Sequence, residues 1–254
     1  MTTGSRAVLL TAAILGASTG VAFAQAPPPN EPPPRIEANA QAAFLTTTGN
    51  SETSTLGLGG ELIARPLPWI YRTKVNFAQS SDHDELKARS TVALLRADRL
   101  LSPRLSTYGQ YDYLRDIFSG IEDRQTVQGG LAYLLVNAAP HRLTVDGGIG
   151  YQHEGRLNAD STNSVIAQSG VMYRWQLSGT SELVEEFRAT LPFANTDQWK
   201  LDQSVALTAA INSIFSIKVS NIIRFVNEPV PGFESTDTIS TVALVMKFRR
   251  PQAP

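Results

Sequence analysis

FSIKVSNIIRFV, residues 215 to 226, alternates its side chains with a period of two. Phe215, Ile217, Val219, Ile223 and Phe225 share one face, which only Asn221 interrupts. Ser216, Lys218, Ser220 and Arg224 share the other face with Ile222 and Val226. A helix would scatter these residues around its circumference, whereas a strand sorts them cleanly onto two sides. The stretch is therefore a strand with one face turned to an apolar medium.

The same period recurs along the chain. WIYRTKVNFAQ (69–79), VQGGLAYLL (127–135), LTVDGGIGYQHE (143–154), VIAQSGVMYRW (165–175) and TISTVALVMKF (238–248) each split into an apolar and a polar face. Twelve segments follow: 39–48, 53–65, 69–80, 86–99, 104–116, 123–136, 141–154, 163–176, 181–193, 197–210, 214–227 and 237–248. They exceed the five or six residues of an average strand in a soluble protein (about 5–6). They suit a tilted membrane span, which needs about 9–11 residues.

The connections alternate in kind. RPLP, LLSP, NAAP, LSGT and INS are short. TGNSE, SDHDE, DIFSGIED, GRLNADST, ANTD and EPVPGFESTD are longer and mostly acidic. Short periplasmic turns alternating with longer outer loops characterise an outer-membrane barrel. Outward-facing aromatics also sort into two bands. Trp69, Tyr71, Tyr133, Tyr173, Trp175, Phe215 and Phe248 lie near the short turns. Phe77, Tyr111, Tyr113, Tyr151, Trp199 and Phe225 lie near the long loops. Two such bands mark the interfaces of a bilayer. The predicted fold is all-β, a transmembrane antiparallel up-and-down barrel of twelve strands, with both ends on the short-turn, periplasmic side.

The N-terminus fits export. Residues 1–24 combine Arg6, an apolar run and an Ala-Phe-Ala end, as a cleavable signal peptide does. Residues 25–38 form a Pro-rich spacer that favours extended backbone. The barrel then occupies 39–248, and 249–254 form a tail. No apolar run near eighteen residues follows the signal, so no transmembrane helix is expected. The chain has no cysteine and a net charge of −1, which offers no thiolate site and no basic surface for nucleic acid.

Alternation turns a set of charges toward the lumen: Arg72, Lys74, Arg89, Arg174, Arg188, Lys200, Lys218 and Arg224 on the basic side. Asp112, Asp146, Glu186 and Asp202 oppose them. These residues either neutralise one another and plug the lumen, or line a narrow, slightly basic passage that favours small anions. Glu185 and Gln203 break the apolar pattern of their strands. A charge facing lipid costs about 2–4 kcal/mol at the midplane, so a bulge or an edge position is expected at Glu185.

Candidate chemistry is sparse. His153 with Ser161 or Ser164 is the nearest approach to a nucleophile and base, without an elbow motif. SDHDE (81–85) has metal-ligand types but lacks the spacing of a calcium loop. The sequence points to no enzyme, no cofactor and no metal site.

TTGNSETSTLGLGGEL, RLSTYGQYDYLRDIFSGIEDR, HRLTVDGGIGYQHE and EPVPGFESTDT together resemble the domain-of-unknown-function 481 family of bacterial salt-induced outer-membrane proteins. The resemblance runs from about residue 40 to 248. It implies envelope location and a link to salt stress, without catalytic residues. One departure is the end of the chain: the aromatic that insertion machinery reads in the last strand would be Phe248, six residues inside the terminus. Val242, Leu244, Met246 and Phe248 are the expected contact with that machinery, and outer-membrane lipids the other partner. The expected function is a narrow pore for small solutes or a structural element under osmotic stress. The alternatives are a lipid- or glycan-modifying enzyme and a surface adhesin or binding protein.

Overall fold

The computed structural model describes residues 34–47, 53–82 and 85–250. The expected signal peptide, most of the expected Pro-rich spacer, residues 48–52 and 83–84, and residues 251–254 lie outside the described residues. Twelve strands close into a single antiparallel barrel in which each pairs with its sequence neighbours and β1 pairs with β12. They are β1 Ile36–Thr47, β2 Thr53–Ala64, β3 Trp69–Asp82, β4 Glu85–Leu100, β5 Leu105–Asp116 and β6 Ile121–Ala138. The second half comprises β7 His141–Arg156, β8 Thr162–Gln176, β9 Ser181–Pro192, β10 Lys200–Ala210, β11 Phe215–Val226 and β12 Thr236–Arg250.

The barrel is inverted relative to a soluble protein. Val127 and Ile149 are 62% and 67% exposed on the outside, whereas Gln128 and Glu154 are 4% and 2% exposed within. Leu95, Leu131, Val165, Val219, Val242 and Leu244 extend the apolar outer surface. Leaving such side chains in water forfeits about 1.5–3 kcal/mol each, and patches of this extent mark a membrane-facing surface. The outside of this barrel faces lipid.

Several boundaries differ from expectation by one to three residues, and three of them have a visible structural cause. β1 begins at Ile36, three residues early, because Arg65 holds its start. The Arg65 guanidinium donates to Pro34 O (2.8 Å) and Glu37 Oε2 (3.2 Å). β12 continues past Phe248, and Glu37 and Ile36 pair with Arg249 and Arg250 to close the ring. Residues 196–198 form a 3-10 turn instead of strand, since Asn195 accepts from the Asp197 amide and diverts the chain before β10.

Glu185 sits neither on a bulge nor at an edge. β9 pairs with β10 in continuous register from Ser181 to Thr190, and Gln203 donates to Glu185 Oε1 at 3.0 Å. The two residues that broke the pattern satisfy each other across neighbouring strands. Asn221 is relieved likewise by Ser240 Oγ at 2.9 Å.

Candidate functional site

The lumen has two unlike halves. At the short-turn end a cavity of about 1790 Å³ opens, lined by the short-turn ends of β1–β3 and β6–β12, with no residue from β4 or β5. On β10 the lining includes Ser204, Ala206, Thr208 and Ala210 but not Asp202 or Lys200. On β9 it includes Glu182, Val184 and Glu186 but not Arg188. The cavity therefore stops part-way along the barrel.

Beyond it side chains fill most of the lumen, leaving a smaller cavity of about 300 Å³ beside Gln152, Ser164 and Gln198. Gln128 donates to Gln168, which donates to Thr190 Oγ1, and all three residues are buried. Glu154 holds three cations at once: Arg124 Nε at 2.6 Å, Arg156 Nε at 2.7 Å, and the ammonium of Lys200. Buried charges persist only when paired and hydrogen-bonded, and here one carboxylate serves three partners. Arg96 lies 3.9 Å above the Tyr108 ring centre and reaches Asp146 at 3.6 Å. Tyr108 fits because glycine stands beneath it: a Cβ on Gly148 would lie 2.7 Å from Tyr108 Oη.

Ion pairs also cross the lumen. β3 and β9 are six strands apart in the ring of twelve, so Lys74 and Glu186, at 3.8 Å, join opposite walls. Arg224 on β11 and Asp116 on β5 do the same at 2.9 Å. The first bar is about one-third exposed at the floor of the cavity; the second is mostly buried toward the long-loop end.

The long-loop end carries a cap. Ser119, in the β5–β6 connection, donates to Asp237 Oδ2 at 2.6 Å, at the start of β12. Phe233 of the β11–β12 loop lies on Gly120, whose φ of +75° and missing Cβ leave room for the ring. These connections belong to opposite walls, so their contact spans the mouth.

The sequence-derived charges distribute as follows. Arg72 meets Glu61 at 3.5 Å, Arg174 meets Glu182 at 2.9 Å, and Arg188 meets Asp112 at 3.5 Å. Asp146, Glu186, Lys200 and Arg224 have the partners given above. Asp202 pairs in register with Arg188 and Arg224, and Lys218 donates to Gln41 Oε1 at 3.3 Å. Arg89 does not join them. It pairs with Gln79 on the face of Phe77, is exposed, and donates to Gln79 Oε1 at 3.1 and 3.2 Å. β4 carries Val92 and Leu94 inward as well as Ala93 and Leu95 outward, so its alternation gives no guide to where Arg89 points. Arg96, Asp116, Arg124, Arg142 and Arg156 are network members that sequence reasoning missed.

The nucleophile constellation does not assemble. His153 faces outward with Asn163 Oδ1 at 2.8 Å, while Ser164 is buried and donates to Val165 O. Part of SDHDE, including His83, lies outside the described residues.

Residues 40–248 match the family described as "Protein of unknown function, DUF481". The chain belongs to the DUF481 family. It is similar to the uncharacterized protein YdiY of Escherichia coli (strain K12), at 23% identity over 215 residues covering 82% of each chain. Among solved structures it is similar to the translocator domain of the autotransporter NalP from Neisseria meningitidis (13% identity, 87% of this chain and 89% of that one, TM-score 0.48). It is also similar to the COG4313 outer membrane channel from Pseudomonas putida F1 (10% identity, 85% and 96%, TM-score 0.49). The NanC porin is a third neighbour (7% identity, 84% and 97%, TM-score 0.47). The twelve-strand barrel described above thus spans the whole DUF481 segment.

Proposed function

We propose that this DUF481 chain is an outer-membrane barrel that passes small hydrophilic solutes and is held closed in the conformation described. The charged cavity carries this reading. A lumen built only to be filled would have no reason to keep about 1790 Å³ open and lined by ionised side chains. Twelve strands fall between the side-chain-filled barrels of about eight and the open porins of about sixteen, so both an open and an occluded section fit within the wall. The bar at the cavity floor is weak. An ion pair as exposed as Lys74–Glu186 contributes about 0–1 kcal/mol, so separating it costs little.

The short-turn end faces the periplasm in this reading, because β1 and β12 both have their outer termini there and an export signal with its spacer precedes β1. The outward residues of β12, Val242, Leu244, Met246 and Phe248, would meet the insertion machinery. A second reading, a structural barrel under osmotic stress, draws support from the cap formed by Ser119, Asp237, Gly120 and Phe233. Planar-bilayer recording separates the two. The pore reading expects discrete conductance steps that become larger or more frequent in Lys74→Gln/Glu186→Gln. Silence in both proteins overturns it and leaves the structural barrel.

A further inference from the structure

The cavity holds more cations than its carboxylates can serve. Its lining carries Arg72, Lys74, Arg142, Arg174, Lys218 and Lys247 against Glu37, Glu61, Glu182 and Glu186. Each of the four carboxylates already has a cation: Glu61 has Arg72, Glu182 has Arg174, Glu186 has Lys74, and Glu37 has Arg65 at 3.2 Å. Arg142 and Lys218 form no ion pair with these carboxylates: both hydrogen-bond neutral partners, and Glu61 and Glu186 act on Lys218 only at longer range. Arg142 donates to Asn137 Oδ1 at 3.2 Å and Lys218 to Gln41 Oε1 at 3.3 Å.

The placement of Arg142 sharpens the point. It stands directly opposite Arg174 in the β7–β8 register, and like charges in that relation repel. Arg142 is exposed at the mouth of the cavity, so its guanidinium is reachable from solution. Arg142 turns toward Asn137 on β6 and Arg174 toward Glu182 on β9, both line the same cavity, and each guanidinium is a fork of donors that matches paired oxygens. On β11, Ser216 is 1% exposed, lines the same cavity two residues from Lys218, and its Oγ has no hydrogen-bond partner.

We infer that this vestibule is a binding site for small multivalent anions with clustered oxygens, centred on Arg142 beside Arg174, with Lys218 as a second anchor. The ligand class covers dicarboxylates and oxyanions such as sulfate. The inference concerns the vestibule of the proposed pore, but binding there requires no conduction.

The test is isothermal titration of the full-length protein in detergent with succinate and with inorganic sulfate, using choline as the cationic control. The anions bind and choline does not. Arg142→Gln weakens binding about tenfold, the loss of one charge-assisted contact. Arg142→Lys retains part of the affinity, and Lys218→Gln weakens it less. Arg89→Gln, which removes a cation from the outer face, leaves it unchanged, and circular dichroism shows that every variant is folded. Unchanged affinity in Arg142→Gln/Lys218→Gln, or an equal loss in Arg89→Gln, overturns the inference. Anion binding by a barrel that is silent in bilayers would remove the pore and keep the site. Conduction without anion binding would do the reverse.

Discussion

The two halves of the lumen solve the same problem in opposite ways. Both are lined by ionised side chains on the inward faces of the strands, whose outward faces meet lipid. Toward the long loops, Glu154, Arg124, Arg156 and Lys200 exclude water and depend on one another. Toward the short turns, Arg72–Glu61 and Lys74–Glu186 stay solvated and loosely held. Burial decides the difference. The same pair of charges is a structural necessity in a dry setting and nearly neutral in a wet one. The closed half therefore behaves as framework and the open half as the place where solutes are met.

Substitutions can break this contrast in order of size. Glu154→Gln removes the buried carboxylate shared by buried Lys200 and the mostly buried Arg124 and Arg156, and is expected to cost about 3–5 kcal/mol, measured by urea unfolding in lipid vesicles. A cost below that of an exposed pair would mean that the half is wet. Gly148→Ala places a methyl 2.7 Å from Tyr108 Oη and 2.5 Å from Gly129 O. The expected cost is about 1–3 kcal/mol from overpacking, read in the same unfolding assay. Gln203→Leu leaves Glu185 without its partner on the lipid face, for an expected loss of about 1–3 kcal/mol. Glu185→Leu/Gln203→Leu restores wild-type stability or exceeds it, because both polar groups go together. Glu186→Gln, in the open half, is expected to change stability by less than about 1 kcal/mol.

Much of the barrel was legible in the sequence because lipid outside and water or ions inside impose a period of two on most of the strands. All twelve strands fall close to their expected ranges, and so does the alternation of short and long connections. What stayed hidden was pairing across the lumen. Asp116 and Arg224 lie 108 residues apart and meet only because six strands separate their walls. No local pattern encodes that distance. Arg89 was misplaced because the middle of β4, Val92 to Leu95, is apolar on both faces, so the charge near the strand end could not show which side it occupied. Glu185 looked like an error of register for a related reason: its partner Gln203 belongs to another strand, and each residue alone breaks the pattern that the pair satisfies.

The chain contains no cysteine, so a single introduced thiol reports on one position without background. Ser204→Cys places it in the open half, Gln128→Cys in the closed half, and the protein in lipid vesicles is exposed to a membrane-impermeant thiol reagent. An open vestibule beneath a sealed half requires Ser204→Cys to react rapidly and Gln128→Cys to react far more slowly. Equal rates at the two positions, or faster reaction at Gln128→Cys, would contradict it.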